Sequence, residues 1–262
     1  MGDISYRPLI EDMTWSYSRL KSFDFCKYQW FCKYICQEQE KPMFYASYGS
    51  FVHRLIEKYY RGEIGRDELP MAFLLGFSSE VKGDRPPAET VKKYIESGKK
   101  YFDSFQEFPF QPVSIEQELH FEVGGYPFVA FADYIGRGDG KLAIVDNKSR
   151  DLKPRRSKSK NGSAKDLELD EMLMQLYLYS HAVFQNYGEF PSVLCFNCFK
   201  SGVFIEEPFD EKTYIKTLDW SKRKIDEIAD EEDFRPNIEF FKCKYLCGLH
   251  DQCCYYQGGG AR

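Results

Sequence analysis

Apolar and polar positions along the chain alternate in two periods, and the changes of period mark the elements. Residues 15–35 are aromatic-rich and read as a helix that Ser16 or Ser18 can cap. A second helix is expected over 47–61, with Gly62 to end it. Residues 83–87 read as a loop, and a third helix follows over 88–106. The period then shortens. Strands are expected over 114–123, 126–137 and 141–148, separated by the turn signals Gly124-Gly125 and Gly138-Asp139-Gly140. The unbroken run Ala143-Ile144-Val145 suits a central strand buried on both faces. A polar, basic loop over 149–165 precedes a strong helix over 167–187. Two more strands (192–199 and 203–206), a long helix capped by Asp210 and running to 229, and a tail over 240–256 complete the pattern, with 258–262 expected to be disordered. The order helix, strand, strand, strand, helix, strand predicts an α/β fold, with helices covering both faces of a mixed sheet.

Composition adds bounds. A chain of 262 residues with 43% hydrophobic and 17% aromatic content can bury a real core, and one elaborated domain over 1–262 is the expectation. No apolar run is long enough to span a membrane. Residues 1–11 lack a basic region followed by an apolar stretch, so no signal peptide is expected and the chain reads as cytoplasmic. In that reducing setting the nine cysteines are metal ligands or core thiols before they are disulfides. The net charge of −5 argues mildly against nucleic acid, although local distribution outweighs the sum.

Candidate chemistry sits on the strands and their flanking helices. In Ile144-Val145-Asp146-Asn147-Lys148 a carboxylate and an ammonium emerge two positions apart, hence on one face of a strand. A carboxylate can hold a divalent cation, and a neighbouring lysine can stabilise charge developing on phosphate; an exposed ion pair at a strand end is the plainer account. Asp133 lies on the preceding strand, and the hairpin brings it within reach of Asp146. Two carboxylates at close quarters call for a cation, unless one of them faces away. His53 and Glu57, four apart, share a face of the second helix, as Gln175 and Tyr179 share a face of the fourth. Taken singly, each pair is also compatible with an ordinary helix surface.

In this order, Gly49-x3-His53, Asp133, Asp146-x-Lys148 and Gln175-x3-Tyr179 resemble the RecB-like branch of the PD-(D/E)XK nucleases, which includes helicase–nuclease nuclease domains and CRISPR-associated RecB-like exonucleases. Ser16-Tyr17-Ser18-Arg19-Leu20, followed by Phe23 and Cys26, is similar to that family's opening helix. The resemblance covers 15–180 and the cysteine tail. It implies a restriction-endonuclease-like core over about 47–206, with terminal segments at about 15–36 and 240–256 joined by a cysteine site. It also implies roles. His53, Asp133, Asp146 and the Asn147 carbonyl would bind Mg²⁺ or Mn²⁺, and imidazole among oxygens tilts the choice to Mn²⁺. Lys148 would position the attacking water. Gln175 and Tyr179 would align the active-site strand and the DNA backbone. Glu118 is taken as peripheral.

Cys26, Cys243, Cys247 and Cys253, with Cys254 as the alternative fourth ligand, are similar to the one-early, three-late cysteine plan of [4Fe–4S] nucleases. They depart from it in placing three residues rather than two between Cys243 and Cys247. Structural zinc and ordinary buried thiols are the alternatives. Cys195 and Cys198, three apart on a strand, are expected to face opposite ways as core residues, while Cys32 and Cys36 are secondary ligand candidates. Arg150, Lys153, Arg155, Arg156, Lys158 and Lys160, in the loop after Lys148, suit a phosphate backbone or else a solvated loop. The function implied is a metal-dependent DNA exonuclease acting on single strands or duplex ends in recombination, repair or phage DNA processing, with partner proteins of recombination or phage replication. A non-catalytic DNA-binding or scaffold protein keeping the fold, and an endonuclease on branched DNA, are the rival readings.

Overall fold

Two tight turns organise the sheet. Gly124 and Gly125 (φ +59° and +90°) join β1 (Gln111–Val123) to β2 (Tyr126–Gly138), and Asp139 and Gly140 (φ +49° and +74°) join β2 to β3 (Lys141–Lys148). Positive φ at both central residues gives a turn whose twist matches that of the strands, which is why glycine and aspartate stand there. β4 (Val193–Cys198) runs parallel to β3, and β5 (Val203–Pro208) returns antiparallel to β4, so the order across the mixed sheet is β1-β2-β3-β4-β5. The computed structural model describes residues 6–155 and 164–256. The tail at 258–262, expected to be disordered, lies outside the described residues.

Helices cover both faces. On one side lie α1 (Arg7–Glu11), α2 (Tyr17–Phe25) and α3 (Lys27–Tyr34); on the other lie α4 (Phe44–Tyr60), α5 (Leu69–Glu80) and α6 (Ala88–Asp103). The first side is completed by α7 (Ala164–Tyr187) and α8 (Glu211–Ala229), and α9 (Phe240–Leu246) lies near the chain's end. The central strand β3 is buried from Leu142 to Asn147. Ile144 packs into the core with α7, while Val145 packs into the core with α4. Cys195 and Cys198 are buried in opposite cores, as strand alternation requires.

The structure adds two short helices, α1 and α9, that the sequence pattern did not predict, and departs from it at two longer elements. The helix expected over 15–35 is two helices. Trp15 stands outside both and forms a bridge to Phe128, and Ser16 caps α2 through the Arg19 N–H at 3.2 Å. At Cys26 the backbone is extended (φ −164°, ψ 111°), ending α2 and starting α3, with its Sγ accepting from the Gln29 N–H at 3.5 Å. The other difference is α5, which the sequence reading passed over. Leu69, Phe73 and Phe77 are buried four apart, but Met71 and Leu75 are apolar and exposed, so the segment carries no clear 3.6-residue contrast.

Candidate active site and cysteine pocket

The end of β3 gathers the acidic groups. β2 and β3 pair with Tyr134 opposite Val145, which places Asp133 opposite Asp146, and the Asn147 N–H donates to Asp133 Oδ2 at 2.6 Å. Asp146 and Lys148 share a face, with Lys148 Nζ 2.6 Å from Asp146 Oδ2. The Asp146 carboxylate is buried, so this ion pair is largely shielded from water. Asn147 turns the other way: its Oδ1 accepts from Asn197 Nδ2 at 2.7 Å, and the same amide donates to the Tyr101 hydroxyl at 2.7 Å.

From α7, Gln175 bridges the pair. Its amide nitrogen donates to Asp146 Oδ1 at 3.0 Å and to the Tyr179 hydroxyl at 2.8 Å, while its oxygen accepts from Lys148 Nζ at 2.8 Å. From α4, His53 Nδ1 lies 3.4 Å from Asp133 Oδ2. Glu57, one turn on, pairs instead with Arg61 at 2.8 Å. The strand β1 adds a residue that the sequence reading missed. Glu118, set aside there as peripheral, is exposed and 2.9 Å from His120. Glu116 is the inward one. It sits at φ +48°, between Ile115 and Gln117, which pair with Tyr134 and Ala132, and so lies opposite Asp133. Among the described residues, His53, Glu116 and Asp133 form a group whose ligand atoms all lie within 4.8 Å of one another.

The electrostatics of this group suit a cation. Burial pushes the Glu116 carboxyl up to about 7, helped by the Asp133 charge. Burial also raises Asp146, with Asp133 adding to it against the pull of Lys148. Burial works against a charged His53, but Asp133 outweighs it and holds the imidazole at about 8. Asp133 itself stays low in spite of its burial, because His53 and the Asn147 N–H favour its charged form. His53, Glu116 and Asp133 supply two carboxylates and one imidazole, a hard donor set that suits Mg²⁺ or Mn²⁺, with the Asp146 carboxylate outside that close group.

The described part of the basic segment after β3, residues 149–155, is more tied down than a solvated loop would be. Leu152 is buried. Arg155 reaches Asp170 at 2.6 Å and Glu207 at 3.1 Å, and Arg150 lies 3.1 Å from Glu168. Lys153 is exposed, while Arg156, Lys158 and Lys160 lie outside the described residues.

Cys26, at the break between α2 and α3, lines one pocket with Cys243, Cys247 and Cys253 from the chain's other end. Cys32 lines it too, packed against Cys247, whereas Cys36 is exposed and Cys254 contacts the Tyr28 hydroxyl at 3.4 Å. Burial, reinforced by the other three thiols, pushes Cys247 up to about 12.

A model of the PD-(D/E)XK nuclease superfamily matches residues 14–254. No curated protein matches the sequence. Among solved structures, the chain is similar to a candidate exonuclease from Eubacterium rectale, with a TM-score of 0.53 and 14% identity over 99% of this chain and 94% of that one. The crystal structure of SSO0001 aligns over 92% of this chain and 100% of that one, at 17% identity and a TM-score of 0.31.

Proposed function

The chain belongs to the PD-(D/E)XK nuclease superfamily, and from that premise we propose that it is a metal-dependent deoxyribonuclease hydrolysing phosphodiester bonds, acting as an exonuclease in recombination, repair or phage DNA processing. The observation that carries this reading is the convergence of Asp133, Asp146, Lys148 and Gln175 at the end of β3, with the buried Asp146 carboxylate held between the Lys148 ammonium and the Gln175 amide. A non-catalytic scaffold has no need to hold an ammonium and two carboxylates together out of water, because burying charge is costly unless it is paired.

In this proposal His53, Asp133, Asp146 and the Asn147 carbonyl hold Mg²⁺ or Mn²⁺, with Glu116 as an added carboxylate. When bound, the cation would polarise the scissile phosphate and acidify a water. The protein's own groups do the rest. Lys148 places its ammonium where negative charge develops on the phosphate and the attacking water. Gln175 fixes Lys148 and Asp146 relative to each other, and Tyr179 fixes Gln175. The Asn147–Asn197–Tyr101 chain on the far face holds the strand end still. The candidate exonuclease from Eubacterium rectale, similar in fold, is consistent with an exonuclease. Cleavage of linear but not circular DNA in Mn²⁺, and of neither in EDTA, is the expected result; no cleavage of single- or double-stranded DNA with any divalent cation would remove the reading.

For the cysteine pocket we propose a structural [4Fe–4S] cluster on Cys26, Cys243, Cys247 and Cys253. What supports this reading is that one cysteine from near the start of the chain and three from its far end line a single pocket, an all-sulfur donor set of the kind that holds such a cluster.

A further inference from the structure

The helix α9 has two faces. Lys242 and Cys243 line the cysteine pocket, while Phe241 and Tyr245, one turn apart, stand on the side away from it, and Phe240 and Phe241 are 53% and 46% exposed. Phe241 lies 5.9 Å from the Tyr45 ring and 5.5 Å from that of Tyr245, and Tyr45 lies 5.4 Å from Tyr94. Ammonium groups accompany the rings. Lys244 Nζ stands 5.4 Å from the Phe240 ring and 5.3 Å from Tyr245, and Lys200 Nζ stands 5.0 Å from Tyr94.

This run leads to the candidate active site. Tyr45, Gly49 and His53 are spaced by four on α4, so they share one face over about 12 Å. Gly49 leaves that face bare between them: a Cβ there would come 3.8 Å from Ser149 Oγ, the residue after Lys148. Lys200 approaches the same place from the end of β4. The Phe199 N–H donates to the Lys148 carbonyl at 3.1 Å, and Lys200 Nζ lies 3.3 Å from Asp151.

We propose that the outer face of α9, with Tyr45, Tyr94, Lys200 and Lys244, is a track that takes an unpaired DNA strand to or from the active site. This proposal rests on the reading of the chain as a DNA nuclease. Rings offer a π-face to any base and ammonium groups meet the phosphates, so the combination suits a single strand read without regard to sequence. In a duplex the bases stay stacked on one another, and the rings would have nothing to cover. The bare Gly49 surface leaves room for the backbone between His53 and Tyr45. Because Cys243 and the rings belong to one short helix, ligation of the cysteines also sets where the track lies.

Fluorescence anisotropy without added divalent cation tests this, using a labelled oligothymidine and a blunt duplex of equal length. Wild-type protein should prefer the single strand. Tyr45→Ala with Phe241→Ala should weaken that binding roughly tenfold or more. Phe240→Ala with Phe241→Ala, a change confined to exposed rings, should do the same if Tyr45 proves necessary for folding. Leu75→Ala, which removes an exposed apolar residue of α5, should change nothing. Binding by both ring variants within about twofold of wild type, or a wild type that holds duplex as tightly as single strand, would overturn the track. Ring-dependent single-strand binding by a protein that cleaves no DNA in Mn²⁺ would keep the track and remove the nuclease reading.

Discussion

At the scale of single residues, Gln175 shows why an amide stands between Asp146 and Lys148. It must donate to the one and accept from the other, and a carboxylate there would repel Asp146 while a hydrophobe would leave the Lys148–Asp146 pair without the amide that fixes its geometry. The spacing of Gln175 and Tyr179 made their shared face legible in the sequence, but not which groups they meet. Glu116 was within reach of the same reasoning. A two-residue turn at Gly124-Gly125 pairs Val123 with Tyr126, and counting back along both strands sets Glu116 opposite Asp133. Glu118 was rightly set aside as peripheral, but without counting the register Glu116 was never weighed.

Glu116 also carries a prediction. Its folded pKa of about 7 exceeds the ordinary 4.5, so its protonated form favours the fold, and that contribution is lost as pH rises from 4.5 through 7. His53, raised from 6.5 to about 8, works the same way: its contribution is present below 6.5 and lost as pH rises through 8. Metal-free protein should therefore melt at lower temperature at about pH 8 than at about pH 5. In Glu116→Gln the metal-free protein should melt above wild type near the upper pH and level with it near the lower, while Mn²⁺ raises its melting point by less. An equal difference from wild type at both pH values would exclude Glu116 as a group desolvated within the site.

At the scale of elements, periodicity found the strands and the long helices because their buried faces contrast with solvent. It passed over α5, whose apolar residues face both ways, and it ran through Cys26, where nothing in the local pattern marks an extended residue. The basic segment after β3 was legible as charge but not as structure. Its Arg155 guanidinium is held by Asp170 and Glu207, which draws a terminal stretch of that segment against α7 and β5. Arg155→Ala should thus lower thermal stability modestly, by up to about 1 kcal/mol for a partly exposed pair, and leave the salt dependence of DNA binding unchanged. A salt slope reduced by about 1 would instead assign this arginine to a phosphate.

At the scale of the whole molecule, the cysteines connect positions that no local pattern could join. The sequence offered Cys26 and the late cysteines as candidates; their convergence on one pocket depends on the break at Cys26 and on the path of the last segment. Linking residues 26 and 243 through a cluster would contribute about 5 kcal/mol as an upper estimate from loop closure, comparable to a domain's whole net stability. Anaerobically purified protein should be brown and hold about four irons per chain. Cys26→Ala should bleach it and lower its melting temperature. Colourless protein carrying one zinc ion would replace the cluster with the tetrahedral alternative.

The proposed function requires the groups at the end of β3 to form a catalytic site. Its most direct test is DNA cleavage by Lys148→Ala in Mn²⁺, with DNA binding and folding measured on the same sample. The account predicts a folded variant that binds DNA nearly as well as wild type and cleaves it about 100-fold more slowly or worse, because the ammonium acts on charge that develops only as the bond breaks. Cleavage at the wild-type rate by that variant would contradict it.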